Sequence, residues 1–254
     1  MTTRRRAIAV PGGLISGLVL IAIWQLLTVS GPLEGTSIPT ASATFVALFA
    51  LLGTAELYSA LLSTFIIAAS GFVISVIIAI PLGILIGLSR FAFRSSKFTL
   101  DFFKVIPPIV IIPITILVFG PTIQMGIFLV VFSIVFALAI QTAYGIRDTD
   151  PVLLETMRCY GLGLGSQIRF ARLPSAAPFI AVGIRISVAA AIVVTVVAGL
   201  IGGAPGLGRS ILLTQAGGQN AETFALVFLL GIIGIAVSRL VIVIQSRLLF
   251  WLPR

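Results

Sequence analysis

The chain has no histidine and a single cysteine. The first absence removes the commonest metal ligand and the side chain best suited to relay protons near neutral pH. The second excludes a disulfide framework and a cysteine metal cluster. Charge is scarce as well: 9% of the 254 residues are Asp, Glu, Lys or Arg, against roughly 25% in a soluble globular domain. With 59% apolar residues, the chain cannot cover itself with a polar surface and reads as an integral membrane protein. A phosphate loop of the GxxxxGK[ST] type is missing, so ATP is not bound in that way. Acidic residues fall only in loops or at span edges, and ion-coupled carriers use carboxylates or histidines inside the membrane. No Ser, Cys or carboxylate pair stands beside a base in a catalytic arrangement. Uphill transport by such a chain draws its energy from a partner.

What is present is a series of long apolar runs. A span takes roughly 20 apolar residues, and the pattern predicts six transmembrane helices in an all-α, polytopic chain that forms one transmembrane domain over residues 1–254. The first covers 12–30, after a basic stretch from Met1 to Arg6. That stretch lacks a small-residue cleavage site and reads as a retained anchor and not a signal peptide. Residues 40–53 carry apolar positions at helical spacing but are too few to cross, which predicts a helix lying at the membrane surface. The second span, 60–88, contains Gly71, Pro81, Gly83 and Gly87; small residues four apart let helix backbones approach closely. A basic loop with Arg90, Arg94, Lys97 and Lys104 leads to a short third span, 105–119, interrupted by Pro107, Pro108 and Pro113. The remaining spans are 122–143, 176–200 and 222–246, with a Gly-rich outer segment before the last.

Lys and Arg outnumber Asp and Glu by 16 to 7, yet they are scattered through short loops. That is a topology signal and not a phosphate-binding face, so nucleic acid is not an expected partner. With an inside N-terminus, Arg4–Arg6, the Arg90–Lys104 group, Arg147, Arg158, Arg169, Arg172, Arg247 and Arg254 all fall on the cytoplasmic side. The outer loops hold Arg209 together with Glu34, Glu56 and Glu222. Both termini are therefore expected in the cytoplasm.

The same bias puts residues 148–174 in the cytoplasm, where polarity gathers between two apolar blocks. Asp150 can cap a helix whose first residue is Pro151, with Glu155 in its early turns. Leu153, Leu154, Met157 and Tyr160 form an apolar face, and Gly161 can end the helix in a left-handed conformation. Gly163 and Gly165 allow a reversal, Ser166 can cap a second short helix to Leu173, and Pro174 and Pro178 redirect the chain into the fifth span.

The pattern Glu155-Thr156-Met157-x-x-x-Gly161, followed after eleven residues by Leu173-Pro174, resembles the EAA loop of ABC-importer membrane subunits. Thr156 and Met157 stand where alanines are usual, and Ala171 where isoleucine is common. LSRFAFRSSKFTLDFFKVIPPIVIIPITILVFG, YGIRDTDPVLLETMRCYGL, PFIAVGIRIS and APGLG extend the likeness to the nitrate/sulfonate/taurine-type permease branch. The resemblance covers roughly Ile38 to Leu252. It implies a type I ABC importer permease fold and a transport subunit without its own ATPase site, working as a homodimer or paralogous heterodimer in the bacterial cytoplasmic membrane. It further implies two ATP-binding subunits, which hold ATP and Mg, and an extracytoplasmic solute-binding protein. Glu155, Thr156, Met157, Arg158, Tyr160, Gly161, Leu173 and Pro174 would form the docking element, with Glu155 as its acidic contact. A small anion such as a sulfonate, nitrate or organic acid is the expected solute, with a vitamin or nucleobase precursor as the alternative. An ATP-independent carrier or channel and a membrane scaffold are the competing classes.

Gln124, Arg185, Ser187 and Thr195 are the polar side chains inside spans that could line a pathway. Arg185 and Arg239 can equally snorkel to the interface, and the others can form interhelical hydrogen bonds.

Overall fold

A computed structural model describes residues 9–248; the expectations for Arg4–Arg6, Arg254 and both termini lie outside the described residues. The described residues contain helices and no strand. In chain order they are α1 (Ala9–Val29), α2 (Ala41–Leu51), α3 (Ala55–Leu88), α4 (Arg90–Val105), α5 (Pro108–Phe119) and α6 (Ile123–Arg147). Then come α7 (Pro151–Cys159), α8 (Leu164–Gln167), a π-turn (Ile168–Arg172), α9 (Leu173–Gly202), α10 (Leu207–Ala216) and α11 (Asn220–Leu248). Four helical stretches are long and apolar enough to cross a membrane: 55–88, 123–147, 164–216 and 220–247; a fifth counts if α4 and α5 form one broken span. The described residues thus support four to five spans where six are expected from the sequence.

Two compact units arise, one from the described part of Met1–Leu57 with Ile211–Leu230, the other from Tyr58–Ser210 with the described part of Gly231–Arg254. In the first, Thr40 caps α2 by accepting from the Ala43 N–H at 3.1 Å. The Gln25 side chain exchanges two hydrogen bonds with Ser42, tying α1 to α2. Trp24 meets Phe224, and Phe45 meets Phe228 edge-on at 5.3 Å.

The second unit is organised around α6 packed along α9, with α3 and α5 completing a core that includes Ile67, Ile112, Met125, Leu129, Leu138 and Val194. Lipid tails are as apolar as leucine, so close packing and not water exclusion holds such helices together. Glycine supplies the closeness. A Cβ at Gly83 would lie 2.6 Å from the Thr142 Cβ, and one at Gly87 2.8 Å from the Ile146 Cβ. The small residues of the second predicted span therefore bring α3 onto α6.

The expected basic loop at 90–104 is instead the amphipathic helix α4. Ser89 caps it by accepting from the Ala92 N–H at 3.2 Å, and Asp101 pairs with Lys97 and Lys104 one turn away on either side. Its inner face carries buried Leu100 and Phe103, which stacks on Phe136 at 4.9 Å. Ile106 and Pro107 are extended, as residues before proline tend to be, and the chain bends by 84° into α5. At 12 residues, α5 is about 18 Å long, short of the roughly 30 Å hydrocarbon thickness. The third predicted span is thus half of a bent pair and not a crossing by itself.

The Gly-rich outer segment also contains a helix, α10. Gly203 closes α9 in the left-handed conformation (φ +70°), and the Leu207 N–H donates to the Thr64 hydroxyl of α3 at 2.9 Å.

Candidate functional site

The stretch between α6 and α9 folds as its residues dictate. Thr149, buried, returns its hydroxyl to the Ile146 carbonyl at 3.1 Å. Asp150 accepts from the Val152 N–H at 2.8 Å and so satisfies one of the free donors of α7. Pro151 follows at the first helical position, where a missing N–H costs nothing. At the other end the Gly161 N–H donates to the Arg158 carbonyl and the Leu162 N–H to the Met157 carbonyl, both at 2.9 Å. That double closure requires a left-handed residue, and Gly161 has φ +72°. Gln167, buried, donates its side-chain amide to the Leu162 carbonyl at 3.1 Å and braces the turn from below.

The apolar face expected from Leu153, Leu154, Met157 and Tyr160 splits in two. Met157 is buried and Leu154 half-buried, so they hold α7 against its own chain. Val152, Leu153, Leu162 and Leu164 are exposed, and Tyr160 is 81% exposed. Thr156 is exposed and returns its hydroxyl to the Val152 carbonyl at 2.8 Å. Arg158 and Glu155 are exposed too, on the wall of a cavity that also holds Arg90, Arg147 and Arg172.

Beyond the turn three local expectations need correction. Gly163 has φ −70° with an extended ψ, a conformation open to any residue, and Gly165 shows no positive φ. Ser166 does not cap a helix; α8 already starts at Leu164 without a side-chain cap. Nor do Pro174 and Pro178 break the chain, since α8, the π-turn and α9 follow one another without a gap from Leu164 to Gly202. Its irregularity is the π-turn, where the Leu173 N–H reaches back to the Ile168 carbonyl. Pro174 has no N–H to give the Phe170 carbonyl, and the widened turn comes just before it. Leu173 and Pro174 accordingly begin α9.

The four pathway candidates occupy different settings. Ser187 and Thr195 are buried along α9, and Thr195 bonds the Ala191 carbonyl of its own helix at 2.8 Å. Gln124 is exposed in the first turn of α6. Arg185 is exposed on α9, and its Nε donates to the Gln245 side-chain oxygen of α11 at 3.1 Å. The Gln245 amide in turn donates to the Ala181 carbonyl. Gln245 and Gln167 carry no signal in spacing or composition, because an isolated glutamine gains its role only from what packs against it.

Residues 79–250 match the family described as binding-protein-dependent transport system inner membrane component. Over 239 residues the chain is 30% identical to the putative aliphatic sulfonates transport permease protein SsuC of Bacillus subtilis, covering 94% of this chain and 87% of that one. It is 24% identical over 237 residues to the nitrate import permease protein NrtB of a Synechocystis species, covering 90% and 85%. Its fold is similar to a chain of the MetNI methionine ABC transporter solved in inward-facing conformations, with a TM-score of 0.65 at 20% identity, over 78% of this chain and 97% of that one. The matched residues take in α7, its Gly161 turn and all of α9, so the capped helix sits inside a known architecture, and the chain belongs to the family of binding-protein-dependent transport system inner membrane components.

Proposed function

We propose that this multi-pass membrane protein is the permease subunit of an ATP-driven importer, and that α7 with its Gly161 turn is the lever on which an ATP-binding subunit acts. The observation that carries this reading is the shape of α7. It is capped by Asp150, anchored inward by Met157, and presents Val152, Leu153 and Tyr160 outward. A short helix so tightly closed, with apolar side chains left facing out, suits the groove of another protein. The full assembly in this reading is two permease copies, two ATP-binding subunits holding ATP and Mg, and an extracytoplasmic binding protein. It lies in the bacterial cytoplasmic membrane, with six spans and both termini inside. ATP drives it as a population shift, because the ATP-binding subunits engage α7 differently in two arrangements of the bundle. The named relatives carry sulfonates and nitrate, which supports a small anion as solute. Gln124, Arg185, Ser187 and Thr195 remain the pathway residues in this proposal, with Arg185 best placed to meet an anion because it is exposed.

Affinity purification through a tag on this chain should recover an ATP-binding subunit, and reconstituted complex should couple ATP hydrolysis to uptake of a labelled alkanesulfonate or nitrate. Glu155→Lys should uncouple the two while leaving the permease pair assembled. Uptake without ATP, or normal coupling in the variant, overturns the reading.

A further inference from the structure

A cavity of about 390 Å³ lies beside α7, and two residues of the expected docking element, Glu155 and Arg158, are on its wall. Its walls come from the end of α3, the start of α4, the end of α6, α7 and the π-turn, and they bring together Arg90, Arg147, Arg158 and Arg172 with one carboxylate, Glu155. No ion pair joins Glu155 to any of the four, which leaves a surplus of three positive charges around one space. The Arg147 guanidinium lies over the Phe93 ring, 4.5 Å from its centroid, a cation–π contact that steadies it beside the cavity. The Arg172 Nε is fully buried and makes no hydrogen bond. A buried donor without an acceptor costs roughly 1–3 kcal/mol. Burial, and then the charges of Arg158 and Arg147, hold the Arg172 pKa below the usual arginine value.

We propose that this cavity binds an oxyanion of the phosphate or sulfonate class, seated between Arg90, Arg147, Arg158 and Arg172. Guanidinium forks match such oxygens two at a time, and a single tetrahedral anion would offset the surplus positive charge and relieve the repulsion among the four arginines. Bound there, it would bridge α7 to α3, α4 and α6 and stiffen the lever against the bundle. The ligand can reach the cavity as a free anion or as the headgroup of an anionic phospholipid.

The test uses the purified full chain, so it stands or falls separately from the transport reading. Equilibrium dialysis with radiolabelled inorganic phosphate, in neutral detergent and against chloride at matched ionic strength, measures the free anion. Phenylglyoxal modification in phosphatidylcholine nanodiscs, with and without phosphatidylglycerol, measures the headgroup. Saturable phosphate binding assigns a free oxyanion. Protection of Arg172 by phosphatidylglycerol, without phosphate binding, assigns the lipid. In the phosphate arm Arg172→Gln should weaken binding roughly tenfold, the loss of one charge-assisted hydrogen bond, and in the lipid arm Arg90→Gln should weaken the protection of Arg172 to a similar degree. Arg90→Gln, at the exposed start of α4, should also weaken phosphate binding without touching a buried donor. Absence of both signals, or a signal unchanged in the variants that its arm reads, overturns the proposal. Protection conferred only by an ATP-binding subunit overturns it too, since the arginines would then serve protein docking.

Discussion

Gly161 is glycine for its backbone angle and not for space: no atom lies within 4 Å of where its Cβ would be, yet φ is +72°. Putting an ordinary L-residue there costs about 1–2 kcal/mol. Gly161→Val should therefore speed limited trypsin cleavage at Arg158, whereas Gly161→Asn should stay closer to wild type, because asparagine tolerates the left-handed region. Met157 and Tyr160 separate anchoring from docking. Met157→Ala, which empties a buried position, should destabilise the detergent-purified chain by about 2–5 kcal/mol in a thermal or denaturant melt. Tyr160→Ala removes an exposed side chain and should leave stability within about 0.5 kcal/mol. In the proposed function it should still lower ATP-coupled uptake.

At the scale of elements, the α3–α6 contact is set by Gly83 and Gly87. Leucine at Gly83 has nowhere to go between the Ala139 carbonyl and the Thr142 side chain. Gly83→Leu should accordingly push the helices apart, and membrane-inserted protein should fall sharply in a fluorescence size-exclusion profile. Glycine at the exposed Gly231, which meets nothing within 4 Å, serves as the control: Gly231→Leu should express normally. Two elements were not legible as helices beforehand. In α4 the charged residues Arg90, Arg94, Lys97, Asp101 and Lys104 recur every three or four positions among the aromatics, so its composition resembles a charged loop although capping by Ser89 and the Asp101 pairs favour a helix. In α10 the flanking glycines suggest irregular chain, and the helix is held by the Thr64 hydroxyl on α3, far away in sequence.

For the whole molecule the single cysteine offers a direct reading of orientation. Cys159 is free and exposed at the end of α7. A membrane-impermeant maleimide should label it in inverted vesicles and not in intact spheroplasts; labelling from outside would reverse the orientation deduced from Lys and Arg. Addition of the ATP-binding subunit should slow that labelling if α7 is the docking lever.

The amino-acid order alone determined the membrane class, through scarce charge and long apolar runs, and the local form of α7, through Asp150, Pro151 and Gly161. These are properties of neighbouring residues, written in spacing along the chain. Only the tertiary structure decided which side of α7 faces inward, how α4 and α5 meet at 84°, and that Arg90, Arg147, Arg158 and Arg172 share one cavity. Those features depend on helices distant in sequence approaching closely at glycines, and side-chain convergence of that kind follows from packing in three dimensions and has no periodic trace in the chain.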